Sequence, residues 1–133
     1  MFETLTVKTS RRDEMIDITN RIQNIVRDSH ITDGCAICYV PHTTAGITIQ
    51  ENADPDVVHD ILYNLEALVP HADPNFRHAE GNSDAHIKAS LMGSSVTVPF
   101  SKSGLVLGTW QAIYFCEFDG PRSRSLHVQL IEG

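Results

Sequence analysis

The chain has 133 residues, 41% of them hydrophobic and 20% charged, which fits one folded domain over residues 1–133 and argues against disorder. By size it buries roughly two-thirds of its unfolded surface, enough for a core without covalent staples. Ten Lys and Arg against seventeen Asp and Glu give a net charge of −7, with seven His taken as neutral. Nucleic-acid binders carry a basic patch or stripe, so no nucleic-acid partner is expected. No membrane partner is expected either, because no apolar run approaches the roughly 20 residues that a span needs. Three Cys, an odd number, do not describe a disulfide framework. Cys35 and Cys38 have CxxC spacing but lie in an apolar run that reads as a strand. Positions three apart on a strand face opposite ways, so these thiols read as small buried hydrophobes and not as a metal pair. The N-terminus lacks the charged and apolar regions of a secretory signal, and the expected location is the cytoplasm.

In chain order, Phe2 to Lys8 alternates apolar and polar residues, the pattern of a half-buried strand. Asp13 precedes a stripe of Met15, Ile18, Ile22, Ile25 and Val26, which predicts an amphipathic helix closing near Ser29. Strands are predicted from Cys35 to Val40 and from Gly46 to Gln50, broken by Pro41-His-Thr-Thr-Ala45. Asp54-Pro55 is a helix start, with Asp as N-cap and Pro at the first position. That helix carries Val58, Ile61, Leu62, Leu65 and Leu68 and ends at Pro70. From His71 to Gly81 nothing is periodic. Ser83 or Asp84 is expected to cap a short helix that stops at Gly93. Ser95 to Phe100, Leu105 to Leu107, Thr109 to Phe118 and Ser123 to Ile131 read as strands, with turns at Lys102-Ser-Gly104 and Asp119-Gly-Pro121. The sum is an α+β fold, mainly an antiparallel sheet or sandwich with two or three helices covering one face.

Polar residues that this fold does not need gather in three places. Pro41-His42-Thr43-Thr44 joins two strands, and a turn requires neither the imidazole nor both hydroxyls. Glu51 and Asn52 follow closely, before the Asp54 cap. The densest segment, His78 to His86, holds two His, Glu80, Asp84 and Asn82 around Gly81. Imidazole and carboxylate ligands of this kind suit a divalent metal, Zn, Mn or Mg according to which groups bind, although a solvated acidic loop has the same composition. In the third place Glu117 shares a strand face with Ile113 and Phe115, so if buried it needs a partner or a metal. Arg122 and Arg124 are its natural partners across the turn, and two guanidiniums on one side also suit a phosphate. Trp110 reads as a core or interface aromatic. His30, His59, His71 and His127 have weaker claims, His71 as a peripheral ligand. No nucleophile elbow, P-loop or dinucleotide fingerprint is present.

Three segments together resemble the YjbQ family: His42 to Pro55, His78 to Ser90, and Gly108 to Arg122, with Gln50 and Ala112 as mild variants. The resemblance implies a homotrimer of α+β domains and the activity called secondary thiamine-phosphate synthase. That reaction joins hydroxymethylpyrimidine diphosphate to thiazole phosphate and releases pyrophosphate. By the same resemblance His42, His78 and His86 look like metal-binding histidines. Glu51, Asn82 and Asp84 look like residues that orient the substrate or the ligands, and Arg122 meets a phosphate. The expectation is therefore a metal-dependent enzyme acting on a phosphorylated small molecule. A non-catalytic trimer that binds a metal or an anion, or a hydrolase using metal-bound water, accounts for the same residues.

Overall fold

Eleven elements follow one another in the computed structural model, which describes residues 1–133: β1 (Phe2–Lys8), β2 (Glu14–Asp17), α1 (Thr19–Ser29), β3 (Gly34–Tyr39), β4 (Ala45–Glu51), α2 (Pro55–Leu68), α3 (Ser83–Met92), β5 (Ser95–Ser101), β6 (Gly104–Leu105), β7 (Gln111–Glu117) and β8 (Ser123–Glu132). A five-stranded sheet has the order β1-β8-β3-β5-β6, and a three-stranded sheet the order β2-β7-β4. Every pairing is antiparallel. The inner faces meet through Val98, Phe100, Leu126 and Val128 of the larger sheet and Ile47, Ile113 and Phe115 of the smaller, and Ile22, Ile25 and Val26 of α1 join the same core. A second core lies on the other face of the small sheet. There Ala112, Tyr114, Cys116 and Phe118 pack with Ala85 and Ala89 of α3 and with Ile61, Leu62 and Leu65 of α2. The result is the predicted α+β architecture in three layers, sheet on sheet on helix pair. Strand β7 is buried on both faces, which explains its nearly unbroken apolar run Ala-Ile-Tyr-Phe-Cys. No helix is long and apolar enough to cross a membrane.

The first helix is shorter than its apolar stripe predicts. Met15 belongs to β2, where it pairs with Cys116, and α1 starts at Thr19. Met15 and Ile18 are three apart, a spacing that fits a helical stripe but here sends the two side chains to different cores. The strand prevails because β2 supplies backbone partners to one side of β7, from Glu14 opposite Glu117 to Asp17 opposite Tyr114. Asp17, not Asp13, satisfies the helix start, its Oδ1 accepting the Thr19 N–H at 2.9 Å and the Thr19 hydroxyl at 2.6 Å. The Leu105–Leu107 strand reduces to Gly104–Leu105, and Trp110 falls outside β7 with 61% of its surface exposed.

Asp54 caps α2 as expected, accepting the Asp56 N–H at 2.9 Å, with Pro55 as the first helical residue. Helix α3 begins at Ser83 as its first residue, with Asn82 at the cap position and no side-chain cap bond, and ends at Gly93 in a positive-φ conformation (+96°). Strand β4 passes very close to that end. The Ile47 N–H donates to the Gly93 carbonyl at 3.0 Å, and a Cβ on Gly46 would stand 2.6 Å from the same oxygen. Only glycine at position 46 permits this approach, which brings the His42 loop beside α3.

Candidate functional site: a polar cleft lined by three histidines and two arginines

The loop between β3 and β4, the start of α3 and the turn between β7 and β8 meet around a cleft of about 860 Å³. His42, His78, Asn82, His86, Arg122 and Arg124 all line it. Residues from three separate stretches of sequence are thus brought to one place.

His42 is half-buried and its Nε2 accepts the Ser125 backbone N–H at 2.9 Å. Burial above all, and next the charge of Arg124, lower its pKa, so the ring is neutral at neutral pH. With Nε2 accepting, the ring proton resides on Nδ1. His42 therefore becomes a metal ligand through Nε2 only by turning away from Ser125.

His78 and His86 face each other with ring centroids 5.4 Å apart and planes at 86°. Two imidazoles sharing one tetrahedral ion at metal–nitrogen distances of about 2.1 Å place their centroids roughly 5 Å apart, so this pair has the spacing of two ligands. Glu80 lies beside them, with Oε2 3.8 Å from His78 Nε2. No group of three or more His, Cys, Asp or Glu side chains converges on a single ion position. The loop carrying His78 is clasped at its ends: His71 Nε2 lies 3.1 Å from the Gly81 carbonyl, and Glu66 accepts the His71 N–H at 3.0 Å.

The basic side of the cleft is built from two ion pairs. Arg124, 5% exposed, donates from Nε to Glu117 at 2.9 Å, and from Nη2 to the second Glu117 oxygen and to Thr44 Oγ1, the latter at 2.8 Å. Glu117, wholly buried, also accepts the Thr9 hydroxyl at 2.8 Å and the Phe118 and Asp119 N–H groups, each at 3.1 Å. Burial alone would raise its pKa, but Arg124 and these donors hold it below the ordinary carboxylate value. The buried carboxylate thus finds the arginine partner its strand position requires. Arg122 is half exposed and donates from Nη2 to Asp119 Oδ2 at 2.7 Å. Asn82 Nδ2 donates to that same oxygen at 2.8 Å, which fixes the amide orientation and leaves Asn82 Oδ1 buried without a partner.

Two residues expected at the site are placed elsewhere. Asp84 is wholly buried under α3 and accepts both Arg12 nitrogens, at 3.0 and 2.9 Å, and Lys88 Nζ at 3.0 Å. Glu51 closes the far end of β4, where its carbonyl accepts the Tyr114 hydroxyl at 3.1 Å. A seven-residue strand separates it from the His42 loop, roughly 20 Å at 3.3 Å per residue. The buried cation Lys88, which also bonds Glu66 at 2.6 Å, escaped notice in the sequence; its signal was the four-residue spacing from Asp84. Cys38 and Cys116 are free and buried, their thiols pushed up to about 12, so neither is a thiolate at neutral pH. His127 accepts or donates a bond to Thr4 at 2.9 Å, and His59 stacks on Tyr63 at the surface of α2.

The fold and the cleft define a class: a two-sheet α+β domain with a helix pair on one side and a His- and Arg-lined pocket where strand ends meet α3. Within that class the chain belongs to the YjbQ (UPF0047) family, whose pattern, described as UPF0047 protein YjbQ-like, matches residues 3–133. UPF0047 protein YugU of Bacillus subtilis is 50% identical over 131 residues, covering 98% of this chain and 99% of the relative. UPF0047 protein MJ1081 of Methanocaldococcus jannaschii is 54% identical over 125 residues, covering 94% and 90%. The crystal structure of a YjbQ/UPF0047 family protein from Clostridium acetobutylicum superposes with a TM-score of 0.94 at 54% identity, covering 97% of this chain and 99% of that one. A hypothetical protein from Aeropyrum pernix, APE1520, reaches the same TM-score at 32% identity, covering 100% and 99%.

Proposed function

We propose that the cleft binds a phosphorylated small molecule together with a divalent metal, Zn, Mn or Mg, and that the protein is a transferase of the secondary thiamine-phosphate synthase kind. The observation that carries this reading is the perpendicular His78–His86 pair standing in the same cleft as Arg122. His78 and His86 are the residues that would hold the metal, through ring nitrogens. A metal there would supply positive charge against that developing on a departing diphosphate. Arg122 meets a phosphate, and Asp119 and Asn82 aim its guanidinium. His42, neutral with its proton on Nδ1, contributes a hydrogen-bond donor. In the reaction, the bond from the pyrimidine methylene to the diphosphate oxygen breaks, and the thiazole nitrogen forms a bond to that carbon. Pyrophosphate leaves with the bonding electrons, and no protein nucleophile is required. Asp84 supports the site from outside it by holding α3 through Arg12 and Lys88, whereas Glu51, at the far end of β4, takes no part in it.

Elemental analysis of wild type and His86→Ala tests the reading. About one metal per chain, lost in the variant, is expected; wild type that stays metal-free after supplementation overturns it. One observation favours a second reading, a non-catalytic metal- and anion-binding protein: both arginines are already paired with carboxylates, leaving little spare positive charge. Metal-dependent release of pyrophosphate from the two thiamine precursors, lost in His86→Ala without unfolding, decides against it.

A further inference from the structure

We propose that Arg124, through Nη1, is the residue that takes the anionic end of the ligand, with Arg122 secondary at the rim; this rests on the phosphate reading given above. Arg124 is more than nine-tenths buried and still lines the cleft. Three of its hydrogen bonds fix the plane of the guanidinium: Nε and Nη2 grip the two Glu117 oxygens, and Nη2 reaches Thr44 Oγ1. Nη1 makes no hydrogen bond within the chain. It is not sealed off either, since Asn82 Oδ1 is the one fully buried side-chain polar atom without a partner. A rigid, unpartnered N–H edge at the wall of a cleft is what an oxyanion needs, because no reorganisation precedes the bond. Arg122 offers less. It is half exposed, and water weakens what its free nitrogen can contribute.

His42 fits the same arrangement. The Ser125 N–H donates to its Nε2, which leaves the ring proton on Nδ1, and His42 and Arg124 line the same cleft. Glu117 cancels the Arg124 charge without occupying Nη1. The pair therefore selects a ligand by the placement of its oxygens, and the bulk of the charge compensation falls to the metal.

Calorimetric titration with inorganic phosphate, with and without zinc chloride, distinguishes the two arginines. Arg124→Lys keeps a cation for Glu117 but loses the second nitrogen of the fork, and should weaken phosphate by about tenfold or more. Arg122→Ala should cost roughly threefold or less, as a solvent-exposed contact does. Because Arg124→Lys disturbs a buried pair, wild-type protein supplies a second measurement: phosphate should shift the Arg124 guanidinium N–H resonances. If Arg122→Ala costs more than Arg124→Lys, or the Arg124 resonances stay fixed while phosphate binds, Arg124 is not the anion contact and the phosphate reading stands. If neither phosphate nor pyrophosphate binds with or without zinc, both fall together.

Discussion

Asp84 and Lys88, one turn apart on α3, are both wholly buried, and their charged atoms lie 3.0 Å from each other. Arg12 closes on the same carboxylate from the β1–β2 loop, and its backbone carbonyl accepts the Gly120 N–H at 3.0 Å. On the other side Lys88 reaches Glu66 of α2, which holds the start of the His71 loop. One buried network thus ties the elements carrying His78, His86 and Arg122.

Removing Lys88 leaves the buried Asp84 carboxylate with Arg12 as its remaining cation, and removing Arg12 leaves it with Lys88. Lys88→Ala should destabilise the fold by about 2–3 kcal/mol, the range of a buried charge-assisted hydrogen bond, and Arg12→Ala, which removes two bonds from the same carboxylate, by at least as much. Urea unfolding monitored by circular dichroism measures both. A Lys88→Ala protein within about 1 kcal/mol of wild type would show that the network contributes little.

The same network sets an acid limit. Burial tends to raise the Asp84 pKa, but hydrogen bonds from Arg12 and Lys88 outweigh it and bring the value down to about 2. A folded-state pKa below the unfolded one means stability that is complete above the unfolded value and is lost as pH falls through the folded one. The loss should run from about pH 4 to about pH 2 and amount to about 2 kcal/mol from this group. Glu66 and Glu117 are lowered as well and act in the same direction. Asp84→Asn should flatten this part of the curve of melting temperature against pH; an unchanged slope would remove Asp84 from the account.

The three histidines should not be equivalent toward metal. Zinc affinity, measured by competition with a chromophoric chelator, should fall by about a hundredfold or more in His78→Ala and in His86→Ala. His42→Ala should lower it by less than about tenfold, because His42 Nε2 is engaged by Ser125. Equal losses in all three variants would mean that the His42 ring turns to join the ion.

Trp110, Tyr63, Leu68 and Leu91 are each more than half exposed on the single chain. The expected homotrimer gives such residues something to cover. Sedimentation equilibrium should return the mass of a trimer, and Trp110→Glu should lower it. A monomer at all concentrations would leave the exposed tryptophan without an explanation from assembly.

Much of this arrangement was legible in the sequence, wherever local chemistry decided it. Asp54-Pro55 placed the start of α2, and the carboxylate of Glu117 on an apolar strand face demanded a partner or a metal, with Arg122 and Arg124 at hand across the turn. Met15 was misleading because a three-residue step satisfies a helix as well as a strand followed by a turn, and only the pairing of β2 with β7 decides between them. Glu51 and Asp84 sat in the right motifs and yet lie off the cleft. Proximity in sequence does not determine which end of a strand, or which face of a helix, a side chain occupies. The paired state of Lys88 depended on Glu66 and Asp13, distant positions that only the tertiary fold assembles.

Strand β7 has no solvent face: Ile113 and Phe115 belong to the core between the sheets, while Ala112, Tyr114 and Cys116 belong to the core beneath the helices. Neither outer layer can detach without exposing one side of it, so its amides should be among the last in the molecule to exchange with deuterium. Helix α3 lies over one of those faces and presents His86 to the cleft. A ligand that grips His86 therefore restrains the covering of β7 and slows exchange along a strand it never touches.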